Sequence, residues 1–297
     1  MTLYPTIRAP FMAREDQFNS WFERNQDNSE YINKANSLLS LNRVGSTTND
    51  KELEIISYLE EKKKQGKKII CAFGKVPVDL NVPFDGGAAH KDMADWITHT
   101  VQICNQLPND VILLVKPHPH ELRPEIALDL VESFEDLIQC ELGNNIKILG
   151  HKDINGQALA PYLDLALLYN GSSGIEMTAQ GIPVMMTSHF GKYDYPVELL
   201  YPEDRAHYEQ FIEALDYPVP ALELRKKAAF LLCYLGTEEI SIINQYSKRQ
   251  LTNDRIGFPK WRMDKIKDFL ENGDPKMELI ADRITEKARL TFSKERE

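Results

Sequence analysis

The chain is short of three things: paired cysteines, basic charge and long apolar runs. Its four cysteines, Cys71, Cys104, Cys140 and Cys233, lie far apart with no C-x-x-C spacing. That pattern suggests neither a zinc site nor a disulfide framework, and it fits reduced thiols. Lysine and arginine number 35 against 45 acidic residues, a net charge of -10. A general nucleic-acid binder needs a basic face to neutralise phosphates, so that class is excluded and any nucleotide contact must be local. No apolar run approaches the length of a membrane span, and Met1–Arg8 lacks the hydrophobic segment of a signal peptide. The expectation is a cytoplasmic protein without a transmembrane segment. Internal repeats and low-complexity tracts are also missing.

What is present is ordinary globular usage: 297 residues, 42% hydrophobic and 27% charged, enough to bury a real core. Residues 1–66 read as a mostly helical lead-in, with Phe11, Phe18, Trp21 and Phe22 as apolar points and an amphipathic helix over 50–65 that ends at Gly66. Residues 67–215 alternate buried-strand patterns with helical ones. Strands are expected near 68–73, 111–115, 145–149, 164–169 and 182–187, and helices near 90–106, 124–138, 155–161 and 173–180. That alternation implies a doubly wound, parallel, Rossmann-like α/β sheet with right-handed crossovers. Residues 216–297 are expected to form a helical C-terminal extension. In it Phe230–Leu235 reads as core, and Gly257–Arg262 as a docking turn before the last helix.

Two stretches carry the chemistry: Val111–Glu121 (VILLVKPHPHE) and Leu165–Val184 (LALLYNGSSGIEMTAQGIPV). Each is a buried-strand pattern that runs into polar, proline- or glycine-containing residues. Ligands of open parallel sheets sit at the carboxyl ends of strands, so both stretches are candidate walls of one pocket. Gly171 and Gly174 let backbone approach an anion, Ser172 and Ser173 add hydroxyl donors, and a helix N-terminus follows. Glu176, in the first turn of that helix, is placed to accept hydrogen bonds from a ribose. Strand parity puts Lys116 on the same face as His118, where it would add positive charge. The plainer readings are an N-cap turn for the serines, a dipole-favoured glutamate, and a charge at a strand terminus for Lys116.

These motifs, with the Gly-Lys-Val-Pro-x-Asp loop at 74–79 and the Asn-x-x-x-Leu-Gly stretch at 145–150, resemble the nucleotide-binding half of GT-B glycosyltransferases. The likeness is to capsule polysaccharide biosynthesis proteins of the Kdo-transferase type, which use CMP-activated sugars. Bacterial sialyltransferases and teichoic-acid glycerophosphotransferases share the His-Pro and Ser-Ser features. The resemblance covers residues 67–215. It implies that His118 and Pro119 line the cytidine and phosphate pocket, Ser172 and Ser173 hold the donor phosphate, and Glu176 meets the ribose. It also implies a nucleotide-sugar donor, with CMP-sugar favoured, a glycan or lipid-linked acceptor, no cofactor and no metal. Peripheral contact with the inner membrane is compatible with that role.

His118 suits either a phosphate donor or a general acid for the leaving group. Asp79, Asp85 and His90, around the Gly86-Gly87 turn, are expected at the ligand edge, where one would meet the acceptor or act as base. Asp79 is the residue kept as a catalytic candidate, and Asp85 is read as turn chemistry. His189–Pro196 follows the last strand and is expected to cover the base or the acceptor. A complete GT-B enzyme has a second Rossmann-like domain, whereas the 66 residues before the first strand lack strand patterns. A separate partner half, or a homo-oligomer, is therefore expected, and a non-catalytic nucleotide-binding half is an alternative. A UDP-sugar epimerase-like enzyme is another, opposed by Glu176 falling too soon after the glycines.

Overall fold

A computed structural model describes residues 15–44, 50–78, 84–107, 110–122, 131–189, 195–237, 245–252 and 255–285. Five strands form one parallel sheet: β1 (Lys68–Phe73), β2 (Val111–Lys116), β3 (Ile146–Ile148), β4 (Leu165–Leu168) and β5 (Val184–Met186). Their order is β3-β2-β1-β4-β5, the doubly wound arrangement expected from the sequence. All residues of β2 and β4 are buried, which explains their unbroken apolar runs: helices cover both faces, so neither face needs polar side chains.

Alternate residues sort into two cores. Ile70, Ala72, Leu113, Val115, Leu165 and Leu167 pack beneath α4 (Met93–Gln106) and α7 (Arg205–Glu213). Ile69, Cys71, Ile112, Leu114, Ala166 and Leu168 pack beneath α3 (Asp50–Lys64), α5 (Gly156–Leu159) and α6 (Ser173–Ala179). Several helix starts are capped by their own side chains. Asp92 accepts from the Asp95 N–H at 2.8 Å, Asn155 from Gln157 at 2.9 Å and Asp204 from His207 at 2.7 Å.

A third core joins the two ends of the chain. In α1 (Glu15–Asn25), α2 (Ser29–Val44) and α8 (Leu222–Tyr234), Phe18, Trp21, Ala35, Phe230 and Tyr234 are buried together with Ile175 and Ala179 of α6. Helices α1, α2 and α8 therefore form a single layer against α6. Phe230–Leu235 is core, as expected.

Two expectations need correction. The helix expected over 124–138 is not formed in its described part, residues 131–138, where only a 3-10 turn over Glu135–Leu137 appears. The Asp136 carboxylate takes the Ser133 N–H and hydroxyl at 2.8 and 2.6 Å, and Glu121 takes the Phe134 N–H, so local side-chain bonds replace the helical ladder. The extension is also not wholly helical. Strands β6 (Ser247–Thr252) and β7 (Arg255–Trp261) form an antiparallel hairpin before α9 (Met263–Asn272) and α10 (Pro275–Thr285). Gly257–Trp261 is thus strand, and Pro259 sits where the register is irregular, opposite Lys248–Gln250, so its missing N–H is tolerated.

Trp21 is 1% exposed and within 6.2 Å, centroid to centroid, of the rings of Phe230 and Tyr234. Trp21→Ala is expected to cost about 3–5 kcal/mol within the main unfolding transition. Denaturant unfolding checks this, since an unshifted midpoint would mean that the helical layer is not coupled to the sheet.

Candidate functional site

The strand order reverses direction between β1 and β4, and a crevice outside the carboxyl ends of strands opens at such a point. A cleft of about 390 Å³ lies there. Phe73 to Lys75 leave β1 along one wall, and Lys116 to Pro119 leave β2 beside them. His151 to Gln157 follow β3, and Asn170 to Ser173 follow β4. Glu52, a buried residue in the first turn of α3, and Glu176 of α6 bring carboxylates to the same space.

Lys116 is 6% exposed at the end of β2. Its Nζ donates a long bond of 3.5 Å to the His151 carbonyl, and among the described residues it forms no ion pair. Burial lowers its pKa from the ordinary lysine value, with Cys71 and Asp153 opposing that fall. A buried ammonium that makes no direct ion pair among the described residues is poorly compensated, a setting that suits an anion.

His118 is shaped by Glu121, which is 2% exposed. One oxygen of Glu121 accepts the His118 N–H at 3.1 Å, and the other accepts the Phe134 N–H and the His151 Nε2, each at 3.1 Å. A single carboxylate thus fixes the His-Pro turn and turns a second histidine against the cleft wall. The Nδ1 of His118 accepts the His120 N–H at 3.2 Å, so the neutral ring carries its proton on Nε2 and acts as a donor.

The serine turn is bent by Gly171, whose φ of +129° lies where side chains other than glycine's are strained. Ser172 occupies the N-cap position of α6 but makes no side-chain cap bond, which removes the plain capping reading for that hydroxyl. Ser172 and Ser173 both line the cleft. Behind them runs an amide chain: Gln180 Nε2 donates to Gln157 Oε1, and Gln157 Nε2 donates to Glu176 Oε2. Burial raises the Glu176 pKa, and the bond from Gln157 partly offsets this.

Of the residues picked from sequence, Lys116, His118, Pro119, Gly171, Ser172, Ser173 and Glu176 come together in this cleft. Gly174 does not line it. A Cβ there would stand 2.8 Å from the Met186 sulfur, so its smallness serves close packing of α6 on β5. Asp79 lies outside the described residues. His90, expected at the ligand edge, is instead buried. Its Nε2 meets His99 Nδ1 at 3.0 Å, and His99 Nε2 meets Glu209 at 2.8 Å. Sequence reasoning missed Glu121, His151, Gln157 and Glu52. Only Glu121, three residues after His118, offered a local signal.

Neither a family model nor a curated protein matches the sequence. Among solved structures, two chains of Thermosulfurimonas dismutans KpsC are similar. The one titled beta Kdo 2,4 transferase shares 14% identity at a TM-score of 0.37, over 68% of this chain and 56% of that one. The one titled beta Kdo 2,7 transferase shares 12% at 0.37, over 86% and 67%. The glycosyltransferase SnogD from Streptomyces nogalater shares 13% at 0.29, over 57% of this chain and 38% of that one. At such scores the likeness decides neither fold nor function, which rest on the sheet and the cleft themselves.

Glu121→Ala removes the acceptor of two backbone N–H groups and is expected to destabilise the protein by at least about 1–3 kcal/mol. Chemical denaturation measures this, and an unchanged midpoint would remove Glu121 as the organiser of the turn. A second expectation concerns acid. Burial, and then the His99 charge, lower the His90 pKa to about 3. Burial also lowers that of His99, against its bond to the Glu209 carboxylate. Unfolded histidines take up protons near pH ~6.5 while these two stay neutral, so stability is full above that range and is lost as pH falls below it. His90→Gln is expected to flatten that loss in a pH series of melts, and an unaltered slope would assign it to other groups.

Proposed function

We propose that the chain is the nucleotide-sugar-binding unit of a glycosyltransferase of capsule or surface polysaccharide synthesis, passing a glycosyl group to a growing glycan. The observation that carries this reading is the buried Lys116, which makes no ion pair among the described residues, sharing a switch-point cleft with the donor nitrogen of His118 and the Ser172–Ser173 turn. Cation, neutral donors and hydroxyls together suit a phosphate, and the Glu176 carboxylate beside them suits the hydroxyls of a ribose. The cleft volume of about 390 Å³ is within the range that takes a nucleotide. A CMP-sugar is the favoured donor, a choice that rests on the sequence resemblance. One parallel sheet is present among the described residues, so a nucleotide-binding half that works with a separate subunit is the second reading.

Titration with CMP, CDP, UDP and ADP tests the proposal, with cytidine nucleotides expected to bind selectively. Ser173→Ala is expected to weaken binding by about 0.5–1.5 kcal/mol, or up to about 3 where the lost bond went to charged phosphate. Because burial lowers the Lys116 pKa, its charge is lost at lower pH than that of a surface lysine. Affinity should therefore decline as pH rises toward the ordinary lysine range near ~10.4, and Lys116→Met should remove that decline. Failure to bind any nucleotide, or binding indifferent to both substitutions, would sink the reading.

A further inference from the structure

Transfer to a hydroxyl acceptor must dispose of a proton, and His118 enters the cleft as a donor because its Nδ1 is occupied by the His120 N–H. A group able to accept a proton follows β5, three strands along the sheet edge from β2 and next to β4. The His189 Nδ1 lies 3.1 Å from Asp85 Oδ1, and Asp85 Oδ2 accepts the Ser188 hydroxyl at 2.6 Å. The Gly87 N–H adds a 3.3 Å bond to Oδ1. An ionised carboxylate only accepts, so Nδ1 of His189 carries the ring proton and Nε2 is left with its lone pair. The Asp85 side chain is 14% exposed and that of His189 55%, so the carboxylate is held inside and the imidazole faces out. Ser188 is fully buried and spends its hydroxyl on Asp85, which makes it a brace for the carboxylate and not a nucleophile.

Backbone hydrogen bonds set the exit that carries His189 beside one that enters the cleft. Thr187 and Ser188 donate to the carbonyls of Leu168 and Tyr169, both at 2.9 Å, so the exits of β5 and β4 run side by side. The next residue on one exit is His189, and on the other it is Asn170, which lines the cleft. His189 thus follows the exit next to the one that leads into the serine turn, just outside the residues that line the cleft. Asp85 was read from sequence as turn chemistry alone. The Gly87 bond satisfies that reading, but the turn does not need the bonds from Ser188 and His189.

We infer that His189, oriented by Asp85, is the general base of the transfer reaction, an inference that rests on the glycosyltransferase reading above. The base takes the proton of the acceptor hydroxyl on Nε2 as that oxygen bonds to the anomeric carbon of the donor. The bond from the anomeric carbon to the phosphate oxygen breaks, and its electron pair leaves on the phosphate, beside Lys116 and the serines. Asp85 balances the imidazolium until its proton returns to solvent.

The test compares wild type, His189→Gln and Asp85→Asn in two assays. One is binding of CMP. The other is nucleotide release from CMP-, CDP- and UDP-sugars, with water or a hydroxyl-bearing glycan as acceptor. His189→Gln is expected to leave the CMP affinity in place, lower kcat by about 10²- to 10⁴-fold and abolish the acid limb of the kcat/KM profile. Asp85→Asn should displace that limb and lose the Nδ1–H tautomer of His189 in ¹⁵N NMR. Full kcat with an intact acid limb in His189→Gln overturns the inference while the binding reading stands. Nucleotide binding without turnover of any donor by the wild type also overturns it. Absence of nucleotide binding by the wild type sinks the underlying reading, and the base with it.

Discussion

Burial of both faces of the sheet is the constraint on which the rest of the structure depends. A strand covered on each side by helices has no surface for polar side chains, so β1 and β2 hold lysine only at an end and β4 holds none. Function is thereby confined to the carboxyl edge, where the backbone leaves the ladder. The reversal of strand order between β1 and β4 then opens that edge into a cleft, because the chains leaving the two strands diverge to opposite faces of the sheet. Fold and site share one cause.

A polar cleft cut into such a core has an electrostatic cost, and the distribution of support around it follows that cost. Burial disfavours the charged forms of both Lys116 and Glu176, lowering one pKa and raising the other. Glu176 is partly relieved by Gln157, itself held by Gln180, whereas Lys116 donates a long bond to a carbonyl and makes no ion pair among the described residues, with Asp153 acting on it only through charge. The less compensated of the two charges is thus the cation, and an anion placed there would gain most. Glu121 is treated differently again. It is more deeply buried than either, yet its bonds to two backbone N–H groups and the His151 ring use both oxygens, so it orders the wall and is not offered to a ligand.

The parts legible in sequence are those set by local pattern. The strands were readable because their runs are apolar throughout, and Lys116, His118, Ser172, Ser173 and Glu176 because they follow those runs directly. Residues brought in by tertiary contact left no such mark. Gln157 meets Glu176 across 19 residues and His151 meets Glu121 across 30, and neither pair has a spacing rule. Gly174 was misread because a glycine needed for packing and one needed for ligand approach look alike in a sequence. The hairpin β6–β7 escaped notice because a two-stranded ribbon tolerates Pro259 and Gly257, residues that argue against a strand in a larger sheet. His90 looked like an edge residue because it follows a glycine turn, but the pairing with His99 that draws it inside joins a loop to a helix.

The N-terminal helices show how far the support of the cleft extends. The serine turn leads into α6, and α6 is gripped on two sides. Met177 packs into the sheet core and Gly174 lies against Met186, while Ile175 and Ala179 face the layer made by α1, α2 and α8. A seven-residue helix has too few internal hydrogen bonds to hold its own position, so its placement depends on those two contacts. Residues of α1 and α2 therefore act on the serine turn through packing. Phe18 and Trp21 stand about 150 residues from Ser172 in sequence, yet they belong to the same core as the helix that carries it. The α1–α2 part of the lead-in is in this sense a structural wall of the site, fixed by aromatic packing, while α3 reaches the cleft directly through Glu52.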